Sequence, residues 1–523
     1  MKQITHILKK DLRRFWWEIA ISLILLAIYT YLAQGEWALP ENPGNSTWQY
    51  NGPGLLLFVV MMVWIVILAR VMHEESPAGD RQFWITRPYE WHKLLTAKVL
   101  FILVVINLPL LIAQMILLWL ADFSPLHYLP GLLYMHLLVL PYVLPILALT
   151  VVTSGFGQMS RAAVILLFFL ICLWTLNFMS TSASLWNSLP SQWDWLQRSL
   201  LIGIPVIVVV RQYAFRKTAQ SRQLLMAGAL AVAVLTAAMP YQRMFEAKYA
   251  LPSAAEKPLF RIRLNPTAYL NGQSPNGKVQ IHFAPNFSEL MPGYLAHINA
   301  VLATVVAPDG ARWNSGWEPA NMTISREMFE TKNSGENVSY GLGAYALMDR
   351  TFFNRVKDSP VKIQIDIAAS IFRDQEDGTL ITHTQEQFEI PGGGLCITEK
   401  PLANLPWSEL WCRSPLHRPE MLGTTTQLVP NCLPGKNDSQ KEFQQTGWVN
   451  SYMNLPLEFS INPVNPFTPN LTAMHTDTQT NQSYTIGWCA GTPLKFRQVE
   501  KIREVRVQQV FENLHLSAID GPR

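Results

Sequence analysis

Seven apolar runs lie between residues 19 and 240, and nothing after Pro240 resembles them. A bilayer core about 30 Å thick needs roughly 20 mostly apolar residues in a spanning helix. Strong candidates fall near 19–33, 55–72, 99–121, 130–153 and 162–178, with shorter ones near 199–213 and 224–240. The fourth contains Pro141 and Pro145, which lipid-embedded helices tolerate because neighbouring groups re-satisfy the freed backbone. Composition agrees: 49% of the 523 residues are hydrophobic and only 15% charged, against about 25% charged in soluble domains. This excludes a single soluble enzyme, a disordered chain and a fibrous repeat. The formal net charge is only +4, with no Lys/Arg-rich tract, so nucleic acid is not an expected partner.

The short connections set the orientation, because Lys and Arg concentrate on the cytoplasmic side. Lys2, Lys9, Lys10, Arg13 and Arg14 precede the first run. Arg70, Arg81, Arg87, Lys93 and Lys98 surround the 70–98 segment, Arg161 lies in the 154–161 turn, and Arg211, Arg216, Lys217 and Arg222 follow the sixth run. The alternate loops, 34–53, 122–129 and 179–197, contain no Lys or Arg. The expected topology has a cytoplasmic N-terminus, seven crossings and everything after about residue 241 extracytoplasmic. The first run lacks a small-residue cleavage site and is followed by further spans, so it does not read as a signal peptide. Before it, Ile4, Leu8, Leu12 and Phe15 recur at helical spacing among Lys and Arg, predicting an amphipathic helix over 1–17 at the cytoplasmic interface, with Trp16 and Trp17 in the aromatic belt.

The most distinctive run is His73 to Lys98. It joins an acidic start (Glu74, Glu75), a Gly79-Asp80-Arg81 break, an aromatic patch around Trp84, a Thr86-Arg87-Pro88 turn signal and a short amphipathic lead into the third span through Lys93 and Lys98. Aromatic side chains facing the cytosol are costly unless something covers them.

In this pattern the chain resembles the ABC-2 class of ABC-transporter permease subunits. In that class an acidic residue and Gly follow the second helix, then a Leu/Ile-Thr-Arg/Ser-Pro turn, then a basic residue and an Ala-Lys pair. Here these correspond to Glu74, Glu75 and Gly79, to Ile85-Thr86-Arg87-Pro88, and to Lys93 and Ala97-Lys98. The resemblance covers 1–222 in helix pattern and the loop alone as motif. It implies a six-helix transport core over 18–222 and a bacterial inner-membrane exporter acting as a homodimer or pseudo-dimer. Its first cytoplasmic loop would dock on a separate ATPase subunit that binds ATP and magnesium. A seventh span over 223–241 and a large domain over 242–523 depart from that pattern. The chain has no Gly-x4-Gly-Lys-Ser/Thr loop, so no cofactor of its own is expected.

Enzyme motifs are weak. His73-Glu74 would begin a zinc-protease His-Glu-x-x-His, but position 77 is Pro. Glu18, Arg70 and His136 are the ionisable residues in or beside spans. A lone intramembrane His is more often a helix–helix hydrogen-bond partner than a catalyst. No catalytic or metal site is expected.

After residue 256 the pattern turns to short alternating runs (Lys278–Phe283, Val361–Phe372, Thr382–Ile390) bounded by turn residues, the mark of half-buried strands. A β-sandwich is the economical packing, with Val499 to Leu516 readable as either helix or strand and a break near 401–420 dividing two modules. Cys396, Cys412, Cys432 and Cys489 all fall in this half, suggesting up to two disulfides with three possible pairings. A zinc site competes without supporting spacing. Its tryptophans, including Trp313 and Trp317, read as packing before they read as a ligand cleft. The alternative function is a membrane-anchored sensor whose exported domain recognises a ligand or envelope partner.

Overall fold

The computed structural model describes residues 2–34, 47–75, 78, 90–165, 191–237, 249, 261–264, 278–286, 290–325, 344–381, 387–390, 394–398, 410–416, 421–427, 444–450, 462–467, 473–476, 483–486 and 493–519. The helices are α1 (Lys2–Arg14), α2 (Trp16–Ala33), α3 (Thr47–Glu74), α4 (Trp91–Ile102), α5 (Leu108–Leu120), α6 (Leu129–Val152), α7 (Ser191–Phe215) and α8 (Thr218–Ala237), with α9 (Arg350–Val356) among the strands. Among the described residues, five segments are long and apolar enough to cross a membrane: Trp16–Ala33, Gly54–Glu74, Trp91–Leu120, Leu129–Val152 and Arg198–Phe215. The run expected at 162–178 falls mostly outside the described residues. The seventh expected run coincides with α8, which opens on Thr218, Gln220, Ser221 and Arg222 and is not among the five.

The third span is longer than its apolar run. The stretch read as a lead-in forms α4, and α4 continues into α5 through a π-helical turn over Leu103–Asn107. The turn has a local cause. Pro109 lacks an N–H, and its ring would clash with the carbonyl of Val105 in a regular helix; the wider π turn immediately before it relieves that clash. Two apolar clusters hold the bundle. One joins Phe15, Leu26, Tyr29, Ile67, Phe101, Leu117 and Leu132; the other joins Ile7, Met72, Leu94, Ala97, Val151, Val208 and Tyr213. A buried hydrogen bond from Trp64 Nε1 to Ser22 Oγ, 2.8 Å, ties α3 to α2.

α1 differs from a free interfacial helix. Its apolar residues Ile4 and Ile7 pack on the cluster containing Leu94 and Ala97 of α4, so that face is covered by protein.

The sheet part is antiparallel throughout its described pairings. A six-stranded sheet runs β11 (Gln444–Asn450), β10 (Met421–Gln427), β15 (Pro493–His515), β6 (Pro360–Ile381), β3 (Tyr294–Val306), β4 (Arg312–Ser325). A three-stranded sheet orders β1 (Arg261–Leu264), β2 (Lys278–Asn286) and β5 (Ala344–Asp349). Along β6 the period-two rule holds: Val361, Ile363, Ile365, Ile367, Ala369 and Ile371 enter one core with Ile281, Ala346 and Met348 of the smaller sheet. The two sheets therefore face each other across that core, as in a sandwich. The undecided stretch over 499–516 lies in β15 as far as His515; β15 pairs with β6 from Pro493↔Ile381 to His515↔Pro360, and β10 pairs with its first part, Leu494–Val499, on the other edge. A four-stranded sheet orders β12 (Val464–Phe467), β9 (Leu410–Pro415), β8 (Gly394–Thr398) and β7 (Gln387–Ile390). β9 lies within the stretch read as a break. β13 (Ala473–Thr476) pairs with β14 (Ser483–Ile486).

Candidate functional site

Four charges meet where α1, α3 and α4 converge, three of them buried and the fourth, Lys10, half-buried. Lys98 and Asp11 are fully buried and Glu75 is 7% exposed. The Lys98 ammonium lies 2.8 Å from Asp11 Oδ2 and 3.0 Å from Glu75 Oε2. Lys10 donates to the other oxygen of Glu75 and lies 3.5 Å from Asp11 Oδ1. Two cations and two carboxylates leave the cluster neutral, the condition under which charges are tolerated away from water. Arg14 pairs with Glu74 beside it. Tyr213 of α7, also fully buried, donates to Met72 Sδ at 3.4 Å and so closes the cluster's inner side.

Helical spacing explains the convergence. Ile7 and Asp11 of α1 and Phe15 just past its end, whose N–H donates to Asp11 O, are spaced by four and face the same way, so Asp11 enters the protein with its apolar neighbours. Burial pushes the Glu75 carboxyl up, but the charges and hydrogen bonds of Lys98 and Lys10 outweigh this and hold it below its ordinary 4.5. Burial likewise lowers Lys10, and Glu75, Asp11 and Glu74 more than offset it, holding the ammonium above 10.5.

Of the expected loop residues, Glu74, Glu75, Lys93 and Lys98 are placed; Gly79, Asp80, Arg81, Trp84, Thr86, Arg87 and Pro88 lie outside the described residues. Glu75 and Lys98 are in contact, while half-buried Lys93 pairs locally with Glu90 at 2.6 Å. The cluster thus ties the two ends of the 76–89 segment to each other and to α1. Sequence reading assigned Lys10 and Arg14 only to orientation and did not single out Asp11. The available signal was an acid in an otherwise apolar stripe, since Asp is almost never fully buried unless paired.

A second assembly lies at the opposite end of α5 and α6. α5 ends in a Schellman cap: Phe123 N–H donates to Leu118 O at 2.9 Å and Asp122 N–H to Trp119 O at 3.1 Å, with Asp122 left-handed at φ 63°. That geometry presents the Asp122 carboxylate to Arg413 of β9, 2.7 Å away, with Gln387 of β7 at 3.4 Å. Leu395, Leu416 and Val464 of the four-stranded sheet region join the helical cluster that contains Leu132. Leu416 is itself left-handed at φ 52°, its N–H donating to Pro463 O at 2.8 Å. Its Cδ1 occupies the space that a Cβ at Gly131 would need, so glycine permits this approach. Cys396 and Cys412, directly opposite each other on β8 and β9, form a disulfide flanked by Leu395 and Arg413; Cys432 and Cys489 lie outside the described residues. A cleft of about 210 Å³ between Asp122, His127, Tyr128, Glu389 and Leu395 marks the seam.

The ionisable residues near spans pair within the bundle. Glu18 accepts from Arg70, whose guanidinium also stands 5.5 Å over the Phe15 ring. His136 Nδ1 is 3.1 Å from Asn107 Oδ1 and its Nε2 3.1 Å from Gln114 Oε1, linking α6 to the π turn and α5. Among the described residues no group of His, Cys, Asp and Glu could hold a metal ion.

Fold and sites together define a multi-pass membrane protein whose helical part carries a separate antiparallel-sheet part. No family model, curated protein or solved structure matches the chain.

Proposed function

We propose that this chain is the membrane-spanning permease subunit of an ATP-driven transporter of the ABC-2 class, an exporter acting as a dimer. In this reading a separate ATPase subunit docks on the 76–89 segment, the N-terminus is cytoplasmic and the sheet part is extracytoplasmic in a bacterial inner membrane. The observation that carries the reading is the neutral buried cluster at the ends of that segment. A loop that receives force from a partner must be rooted in something stiff. Here Glu75 and Lys98 join its two ends, and Lys10 and Asp11 extend the connection to α1. A push on the segment then moves α1, α3 and α4 as one body, the kind of rigid-body step by which a docked ATPase drives a switch. The placement of the sheet supports the topology: it contacts the 122–131 region, at the far ends of α5 and α6 from the cluster.

The test is affinity purification from native membranes in mild detergent, with mass spectrometry of the proteins that accompany the chain. A stoichiometric partner carrying a Gly-x4-Gly-Lys-Ser/Thr loop is expected, lost when Arg87→Glu is combined with Trp84→Ala. A double variant that keeps its ATPase would remove the docking assignment. A signalling or envelope protein in place of an ATPase would favour a membrane-anchored sensor.

A further inference from the structure

The side of α1 turned away from the protein carries a feature that the transporter reading does not use. Lys2, His6, Lys9 and Arg13 follow one another at intervals of four, three and four, so they form a single ridge. All four are exposed. The ridge lies opposite the buried face of Ile7, Asp11 and Phe15. It is also rotated away from Lys10 and Arg14, the cations that pair with Glu75 and Glu74. No described residue forms an ion pair with Lys2, Lys9 or Arg13. The ridge leads into Trp16 and Trp17, which are 51% and 63% exposed, stacked with ring centroids 4.0 Å apart, and stand at the first residues of a membrane-crossing helix.

We propose that this ridge binds the phosphate headgroups of anionic phospholipids in the adjacent leaflet, holding α1 at the membrane surface. The charges supply the complementarity: three permanent cations with no ion-pair partner among the described residues match a row of lipid phosphates. The tryptophan pair fixes the depth, since exposed Trp beside a span belongs at headgroup level, with its ring in the interface. A protein partner on the cytoplasmic side is the competing occupant. The lipid is favoured because the ridge faces away from the cations that brace the 76–89 segment and is continuous with the aromatic pair at the start of α2. The inference does not depend on the transporter reading.

The experiment uses the full chain, purified in mild detergent and offered an equal mixture of phosphatidylcholine and phosphatidylglycerol, with retained lipids counted by native mass spectrometry. Retention of phosphatidylglycerol over phosphatidylcholine is expected, at a scale of roughly fivefold per basic side chain, and is expected to fall in high salt. The Lys2→Gln, Lys9→Gln, Arg13→Gln triple variant should lose the preference, and Lys2→Arg, Lys9→Arg, Arg13→Lys should keep it. A triple variant that still selects phosphatidylglycerol overturns the proposal, as does one that keeps its lipids but sheds a co-purifying protein. If the triple variant is not monodisperse, Lys9→Gln alone must lower phosphatidylglycerol retention, and unchanged retention overturns the proposal equally.

Discussion

Lys98 is fully buried between carboxylates from two different elements, so its removal strands charge rather than merely deleting a contact. Lys98→Met leaves Asp11 and Glu75 sharing Lys10 alone, and breaking a buried ionic group in this way costs about 3–5 kcal/mol. The expected result is a large drop in the thermal unfolding midpoint of the purified chain. Adding Asp11→Leu restores neutrality around the remaining Lys10–Glu75 pair, so the double variant should recover most of the loss. A double variant no more stable than the single would show that these two charges are not coupled. At the other end of the bundle Asp122 does two jobs that substitution can separate. Asp122→Gly keeps the left-handed cap and removes the carboxylate; Asp122→Ala removes the carboxylate and adds about 1–2 kcal/mol of left-handed strain. Hydrogen exchange should show β9 loosened near Arg413 in both variants, but faster exchange at the Phe123 amide only in the alanine variant.

Among the elements, β3 carries a pH response that can be worked out. His297 is 6% exposed, and burial pushes its pKa down from 6.5 to about 4. The folded sheet therefore keeps it neutral while the unfolded chain takes up a proton below pH 6.5. Stability should fall as pH drops from 6.5 toward 4, by up to about 3 kcal/mol. His297→Gln should flatten that part of a denaturant-midpoint profile against pH; an unchanged slope would place the titration elsewhere. The elements differ in how far sequence alone reveals them. Long helices were legible because hydrophobicity over a span is a local property, and β6 was legible because its apolar residues alternate cleanly. The 499–515 part of β15 was not, because Glu500, Lys501, Arg503, Glu504 and Arg506 mask its alternation and only its pairing with β6 decides its form. The Cys396–Cys412 partnership was one of several open pairings until β8 and β9 set those residues opposite each other. The loop ends were legible as a motif, whereas Asp11 reaches Lys98 across 87 positions of chain, a tertiary fact that no local pattern contains.

At the scale of the whole molecule, the two assemblies occupy opposite ends of the helical bundle, and the path between them is short. Lys98 belongs to α4, which runs through the π turn into α5, and α5 ends at Asp122 against the sheet. Five residues separate the end of β6 at Ile381 from β7 at Gln387, which touches Asp122. The β6–β15 ribbon is therefore rooted close to the helices at its Ile381 and Pro493 end, while Pro360 and His515 lie at the other. A strand of 22 residues has a contour length of about 70 Å at roughly 3.3 Å per residue. The ribbon is in effect a beam clamped at one end. A tilt of about 5° at the clamp would carry the free end of a straight beam of this length about 6 Å. A displacement too small to see among packed helices would become a stroke as wide as a helical turn at the tip.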